Sequence, residues 1–167
     1  MRVKICGIQT KEAALVAAEN RADFIGFVFA ESKRNIDPQT AAEIAEIIPD
    51  HVKKVGVFVN ESIEKMMEIA EFVGLDYIQL HGDEEPEIAE QLPYKIIKAF
   101  SVERDNLPVI QSYPCDYYLL DSPKGKYRGG TGQTFDWKLI DKIAIDREKI
   151  ILAGIFLLYS ISRCNFS

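Results

Sequence analysis

Seven short, almost wholly apolar runs recur along this chain of 167 residues, and their spacing constrains the fold more than any other feature. They read VKICG (3–7), FIGFVF (24–29), VGVFVN (55–60), YIQLHG (77–82), IIKAF (96–100), YYLLD (117–121) and IILAG (150–154). Apolar residues at consecutive positions suit strands covered on both faces, as in a parallel sheet, better than strands with one wet face. Start-to-start spacings range from 19 residues (77 to 96) to 33 (117 to 150), which leaves room each time for a turn and a crossover helix.

Helix signals fill the gaps. Thr10 is placed to cap KEAALVAAEN, Asp37 precedes Pro38 at the first helical position of PQTAAEIAEII, and Asn60 is placed to cap ESIEKMMEIAEFVG, which closes on Gly74. EEPEIAEQL (84–92) and DWKLIDKIA (136–144) continue the alternation, with a weaker, Pro-interrupted connection over 103–113. Repeated βα units build either an open doubly wound sheet or a closed (β/α)8 barrel. The first run passes into Cys6, Gly7, Ile8, Gln9 and Thr10 rather than GxGxxG, so the dinucleotide fingerprint is absent and an α/β fold of the (β/α)8 TIM-barrel type is expected.

Composition narrows the function. With 47% hydrophobic and 28% charged residues the chain has the makeup of one cored domain rather than a disordered segment or a membrane bundle. The run over 150–159 is shorter than the roughly 18 residues a bilayer span needs, and the start MRVKICG lacks the apolar stretch of a signal peptide. A cytoplasmic protein with no membrane partner is the expectation. The net charge of −6, without a cluster of Lys and Arg among aromatic residues, argues against nucleic acid. Three cysteines, Cys6, Cys115 and Cys164, do not make a disulfide framework in such a chain.

In a barrel the polar residues at the carboxyl ends of the strands line the active site, and here those ends carry Cys6, Asn60, His81, Asp121 and Gly154. A thiolate at Cys6 could serve as base or nucleophile, although a lone Cys in an apolar strand is ordinarily a small core residue. A carboxylate ending YYLLD is solvated, paired or catalytic, because burying it unpaired is costly. His81 in QLHGDE could position a substrate or simply be a loop histidine satisfied by its acidic neighbours. Lys33 and Arg34 follow the second run, and an Arg fork suits a carboxylate; a solvated charged turn is the plainer alternative. In GKYRGGTGQTFDW (125–137), Gly129, Gly130 and Gly132 around Thr131 allow backbone N–H groups to turn toward an anion.

KICGI at the first strand, Ser32 and Arg34 after the second, GVFVN, QLHG, LLD and then GGTGQTFDW, in this order, resemble the phosphoribosylanthranilate isomerase family of tryptophan biosynthesis. The resemblance runs from residue 1 to about 154. It implies a TIM barrel that performs a cofactor-free Amadori rearrangement of N-(5-phosphoribosyl)anthranilate, a small phosphorylated substrate. It further implies that Asp121 is the general acid on the ring oxygen and Cys6 the general base at C2, with Arg34 on the anthranilate carboxylate. His81 is similar to a substrate-contacting histidine, and the loop with Gly129, Gly130, Thr131 and Gly132 to a flap over the substrate. Gly154 would begin the phosphate site.

The resemblance stops after 154. Residues 155–167, IFLLYSISRCNFS, contain one charged side chain, Arg163, and are too few for a crossover, an eighth strand and a closing helix. The reading is a barrel domain over 1–154 followed by a divergent apolar tail, with the eighth strand missing. Activity weakened by that loss, and self-association through open sheet edges, are expected. An inactive fragment or an interaction module completed by a partner chain is the competing reading. A related phosphosugar enzyme such as indole-glycerol-phosphate synthase would instead be expected to carry a catalytic Lys and Glu at strand ends.

Overall fold

The computed structural model describes residues 2–101, 107–121 and 145–152. Seven parallel strands follow one another in chain order and pair only with their sequence neighbours among the described residues: β1 (Lys4–Cys6), β2 (Phe24–Val28), β3 (Lys53–Phe58), β4 (Tyr77–Leu80), β5 (Lys95–Ser101), β6 (Tyr117–Asp121) and β7 (Ile150–Leu152). Among the described residues five α-helices cross between them: α1 (Lys11–Glu19), α2 (Pro38–Ala45), α3 (Ile63–Val73), α4 (Pro86–Gln91) and α5 (Leu107–Ser112). The sheet curls with its helices outside, the (β/α)8 arrangement that the spacing of the apolar runs predicts. The expected helix over 136–144, the tail over 155–167 and the boundary at 154 lie outside the described residues.

The helices begin where the sequence places their caps, with one exception. Thr10 Oγ1 accepts from Ala13 N at 3.2 Å, and Asp37 Oδ1 from Thr40 N at 2.9 Å ahead of Pro38. The Thr40 hydroxyl donates to the other Asp37 oxygen, and these bonds hold the carboxyl below its usual range. The exception is Asn60. Its φ of 51° is left-handed, whereas an N-cap needs extended backbone, and Ser62 supplies that with φ −69° and ψ 149°. Ser62 Oγ therefore caps α3, accepting from Lys65 N at 3.2 Å, and the helix closes on left-handed Gly74 as expected.

Two layers of core result. Outside the sheet, α3 buries Met66, Ile69, Ala70 and Val73, one stripe at helical spacing, against Ile25, Phe27, Ile78 and Leu80. Each large side chain of this kind contributes about 1.5–3 kcal/mol on burial. Inside the curl, Phe24, Tyr77 and Tyr117 from alternate strands meet, with ring centroids 5.5 to 5.9 Å apart, and Val55, Ile97 and Leu119 join them. Strands β2 and β4 are buried at every position, as their continuous apolar runs require. Strand β1 differs: Ile5 is 40% exposed, because among the described residues β1 has only β2 beside it.

Candidate active site

Side-chain period carries the interior face from the aromatic layer up to the mouth. His81 stands four residues beyond Tyr77 on the β4 line, and Asp121 four beyond Tyr117 on β6, so both face inward as those rings do. Lys4 and Cys6 share the inner face of β1, opposite Gly26 of β2. A Cβ on Gly26 would lie 2.9 Å from Lys4 Nζ and 3.0 Å from Cys6 Sγ. The missing side chain is what makes room for both. Cys6, His81 and Asp121 are each half-buried at the carboxyl end of the sheet, the face on which barrel enzymes work.

Arg34 reaches the same rim by a different route. Gly7 follows Cys6 with φ +83°, and a Cβ there would stand 2.5 Å from Arg34 Cδ, so the arginine stem lies against the backbone of the residue next to Cys6. The loop that carries it is braced: Ser32 Oγ accepts from Arg34 N at 3.1 Å, Asn35 Nδ2 donates to Ala30 O at 3.0 Å, and Gln9 Nε2 donates to Asn35 O at 2.9 Å. The guanidinium itself is exposed, able to meet a ligand.

His81 is held from both ends. Its backbone N–H donates to Phe58 O at 2.9 Å, and Gln79 Nε2 lies 2.8 Å from its Nδ1. Its partner is thus a buried amide on its own strand rather than the acids of HGDE. Burial pushes its pKa below the ordinary 6.5; the charge of Asp121 opposes this, Lys4 and Lys98 reinforce it, and Glu84 opposes it more weakly.

Beneath this mouth, Glu84 ties two loops together. Its carboxylate accepts from Asn60 N at 2.8 Å, from Gly82 N at 2.9 and 3.0 Å, and from Lys98 Nζ at 2.7 Å. Lys98 also donates to Gly82 O at 2.8 Å, and Asn60 Oδ1 accepts from Asp83 N at 2.8 Å. Asn60, expected as a helix cap, is a bridge between the loops after β3 and β4.

Of the residues singled out in the sequence, the structure gathers Cys6, Arg34, His81 and Asp121 around one mouth. Gly129, Gly130, Thr131, Gly132 and Gly154 lie outside the described residues. Sequence reasoning missed Lys4, Gln79, Gly26, Glu84 and Lys98. The first two were within reach, since each stands two residues before a named site residue on a strand and so shares its face. Cys115, by contrast, belongs to the outer layer, where burial pushes its thiol up to about 11 and keeps it protonated. Among the described residues no three His, Cys, Asp or Glu side chains converge as a metal would require.

A curled parallel sheet with a thiol, a carboxylate, an imidazole and a guanidinium around its carboxyl-end mouth defines an enzyme of the (β/α)8-barrel class. The family model described as N-(5'-phosphoribosyl)anthranilate (PRA) isomerase matches residues 3–163, and the chain belongs to that family. It is 53% identical over 157 residues to the N-(5'-phosphoribosyl)anthranilate isomerase of Bacillus mycoides strain KBAB4, a match that covers 92% of this chain and 76% of that protein. It is also similar to the phosphoribosyl anthranilate isomerase of Thermotoga maritima, with 40% identity and a TM-score of 0.83 over 93% of this chain and 78% of that one. Another phosphoribosyl anthranilate isomerase, solved in complex with reduced 1-(o-carboxyphenylamino)-1-deoxyribulose 5-phosphate, aligns at TM-score 0.78 with 37% identity, covering 93% and 76% of the two chains.

Proposed function

We propose that this chain catalyses the Amadori rearrangement of N-(5-phosphoribosyl)anthranilate to 1-(2-carboxyphenylamino)-1-deoxyribulose 5-phosphate, in the cytoplasm, as a step of tryptophan biosynthesis. The observation that carries the reading is the pairing of an inward-facing thiol, Cys6, with an inward-facing carboxylate, Asp121, across one barrel mouth.

The chemistry needs an acid and a base in sequence. Asp121, protonated, donates to the furanose ring oxygen; the C1–O bond breaks as the anilino nitrogen's lone pair forms a protonated imine. The Cys6 thiolate then removes the proton from C2, and the electrons of that C–H bond form the C1–C2 double bond of an enolamine. Protonation at C1 with loss of the C2 hydroxyl proton yields the ketone. C2 is oxidised and C1 reduced within one molecule, so no cofactor enters. Arg34 holds the anthranilate carboxylate through its planar fork, His81 contacts the substrate, and the segment with Gly129, Gly130, Thr131 and Gly132 closes over it. Gly154 belongs to the phosphate end.

Self-association is part of the same proposal. Strand β1 has one partner among the described residues, and its Ile5 and the preceding Val3 are each 40% exposed. One of the similar structures is of monomers generated from the dimeric phosphoribosylanthranilate isomerase of Thermotoga maritima; that this relative is dimeric supports an assembly without specifying its surface.

The test is turnover of phosphoribosylanthranilate generated in situ, followed by loss of anthranilate-type fluorescence, with size-exclusion chromatography alongside. Turnover supports the assignment. A folded, monodisperse protein with no turnover would favour the inactive-fragment reading.

A further inference from the structure

Gln79 is 2% exposed, yet it points into the barrel from β4 between Tyr77 and His81, where an apolar residue would ordinarily fill the interior. Its Nε2 lies 2.8 Å from His81 Nδ1, and its Oε1 has no hydrogen-bond partner among the described residues. A buried amide with an unpartnered oxygen calls for a physical reason at such a position.

We propose that Gln79 is a positioning residue that donates to His81 Nδ1, fixes the imidazole as the neutral tautomer protonated on Nε2, and so presents Nε2–H as a preset hydrogen-bond donor to a substrate oxygen. This rests on reading the mouth as an isomerase site.

Three observations support it. The amide as placed gives one Nε2 proton an acceptor, His81 Nδ1, and leaves Oε1 and the second proton without a partner, whereas the reverse orientation would leave the whole NH2 group without one. A proton on Nδ1 would face the amide N–H, so Gln79 disfavours both the other tautomer and the imidazolium. The charges that act on the ring are divided, Asp121 and Glu84 drawing a proton on, Lys4 and Lys98 holding it off, and burial tips the balance to the neutral form. A neutral His81 is a poor acid, which leaves proton transfer to Cys6 and Asp121 and confines the imidazole to orienting the substrate.

The test begins with the free protein. Long-range 15N–1H correlation of the His81 ring should show Nε2 protonated and Nδ1 unprotonated at pH 7. A proton on Nδ1, or an imidazolium, overturns the proposal whatever the activity. Gln79→Glu should reverse the tautomer and move the His81 titration to higher pH. Gln79→Met, which keeps the volume, should leave the ring in mixed tautomers, with KM raised up to about tenfold and kcat changed less. Fixed Nε2–H in Gln79→Met would also overturn it, since Gln79 would then not be the cause. Because the spectrum needs no turnover, an inactive protein with the Nε2–H tautomer refutes only the isomerase assignment.

Discussion

Lys98 Nζ lies 2.7 Å from Glu84 Oε2, with the two side chains only 5% and 3% exposed. Around them the Gly82 carbonyl, the N–H groups of Asn60 and Gly82, and the rings of Phe100 and Tyr113 complete the shell. Removing one partner of such a pair leaves the other charge buried and uncompensated. Glu84→Gln should therefore cost about 3–5 kcal/mol in urea unfolding, and Glu84→Gln with Lys98→Met less than Glu84→Gln alone. A single-variant cost below 1 kcal/mol would mean that water reaches the pair.

Cys6→Ser and Asp121→Asn keep the shape of their side chains and remove the proposed base and the proposed acid. Each should lower kcat by a factor of 10² to 10⁴ while the thermal midpoint stays close to the parent's. Retention of more than about a tenth of the parent rate by either variant would refute its assigned role.

The proposed carboxylate clamp at Arg34 would be engaged in ground and transition states alike, so Arg34→Ala should raise KM more than it lowers kcat. Steady-state kinetics that show a fall in kcat at constant KM would contradict a clamp.

Gly26→Ala places a methyl group 3.0 Å from Cys6 Sγ and 2.9 Å from Lys4 Nζ. The lysine end can swing aside, whereas the thiol cannot move far without leaving the position proposed for the base. Activity should drop on the order of tenfold, from misplacement of the reacting group. Circular dichroism should remain that of the parent, and a fully active variant would show that the two side chains are not confined by β2.

The depressed titration of His81 fixes the sign of one pH effect. The unfolded chain takes up a proton near pH 6.5, while the folded chain does so only at a lower pH. The stabilisation is complete above about 6.5 and is lost as pH falls through the folded value. Denaturant midpoints should decline over that interval and less so in His81→Asn. An equal decline in both would place the acid sensitivity elsewhere.

The amino-acid sequence by itself determined the order and parallel sense of the strands, because runs apolar on both faces, spaced for a crossover, have few other ways to be buried. It also determined the caps at Thr10 and Asp37, where a side-chain oxygen three residues before an N–H decides the helix start locally. The period of a strand already put Lys4 with Cys6 and Gln79 with His81, although neither pair stands out until a partner strand gives the face a meaning. Only the tertiary structure decided the rest. Glu84 and Lys98, 14 residues apart, read as surface charges in sequence and become a buried pair once β4 and β5 lie side by side. Asn60 reads as a cap, yet the loop it meets, at Asp83, lies 23 residues on, and that contact takes its side chain away from the helix. The mouth itself joins Cys6, Arg34, His81 and Asp121 from four strands and loops. No local rule couples residues so far apart; the curl of the sheet does, because it turns the inner faces of β1, β4 and β6 toward one another.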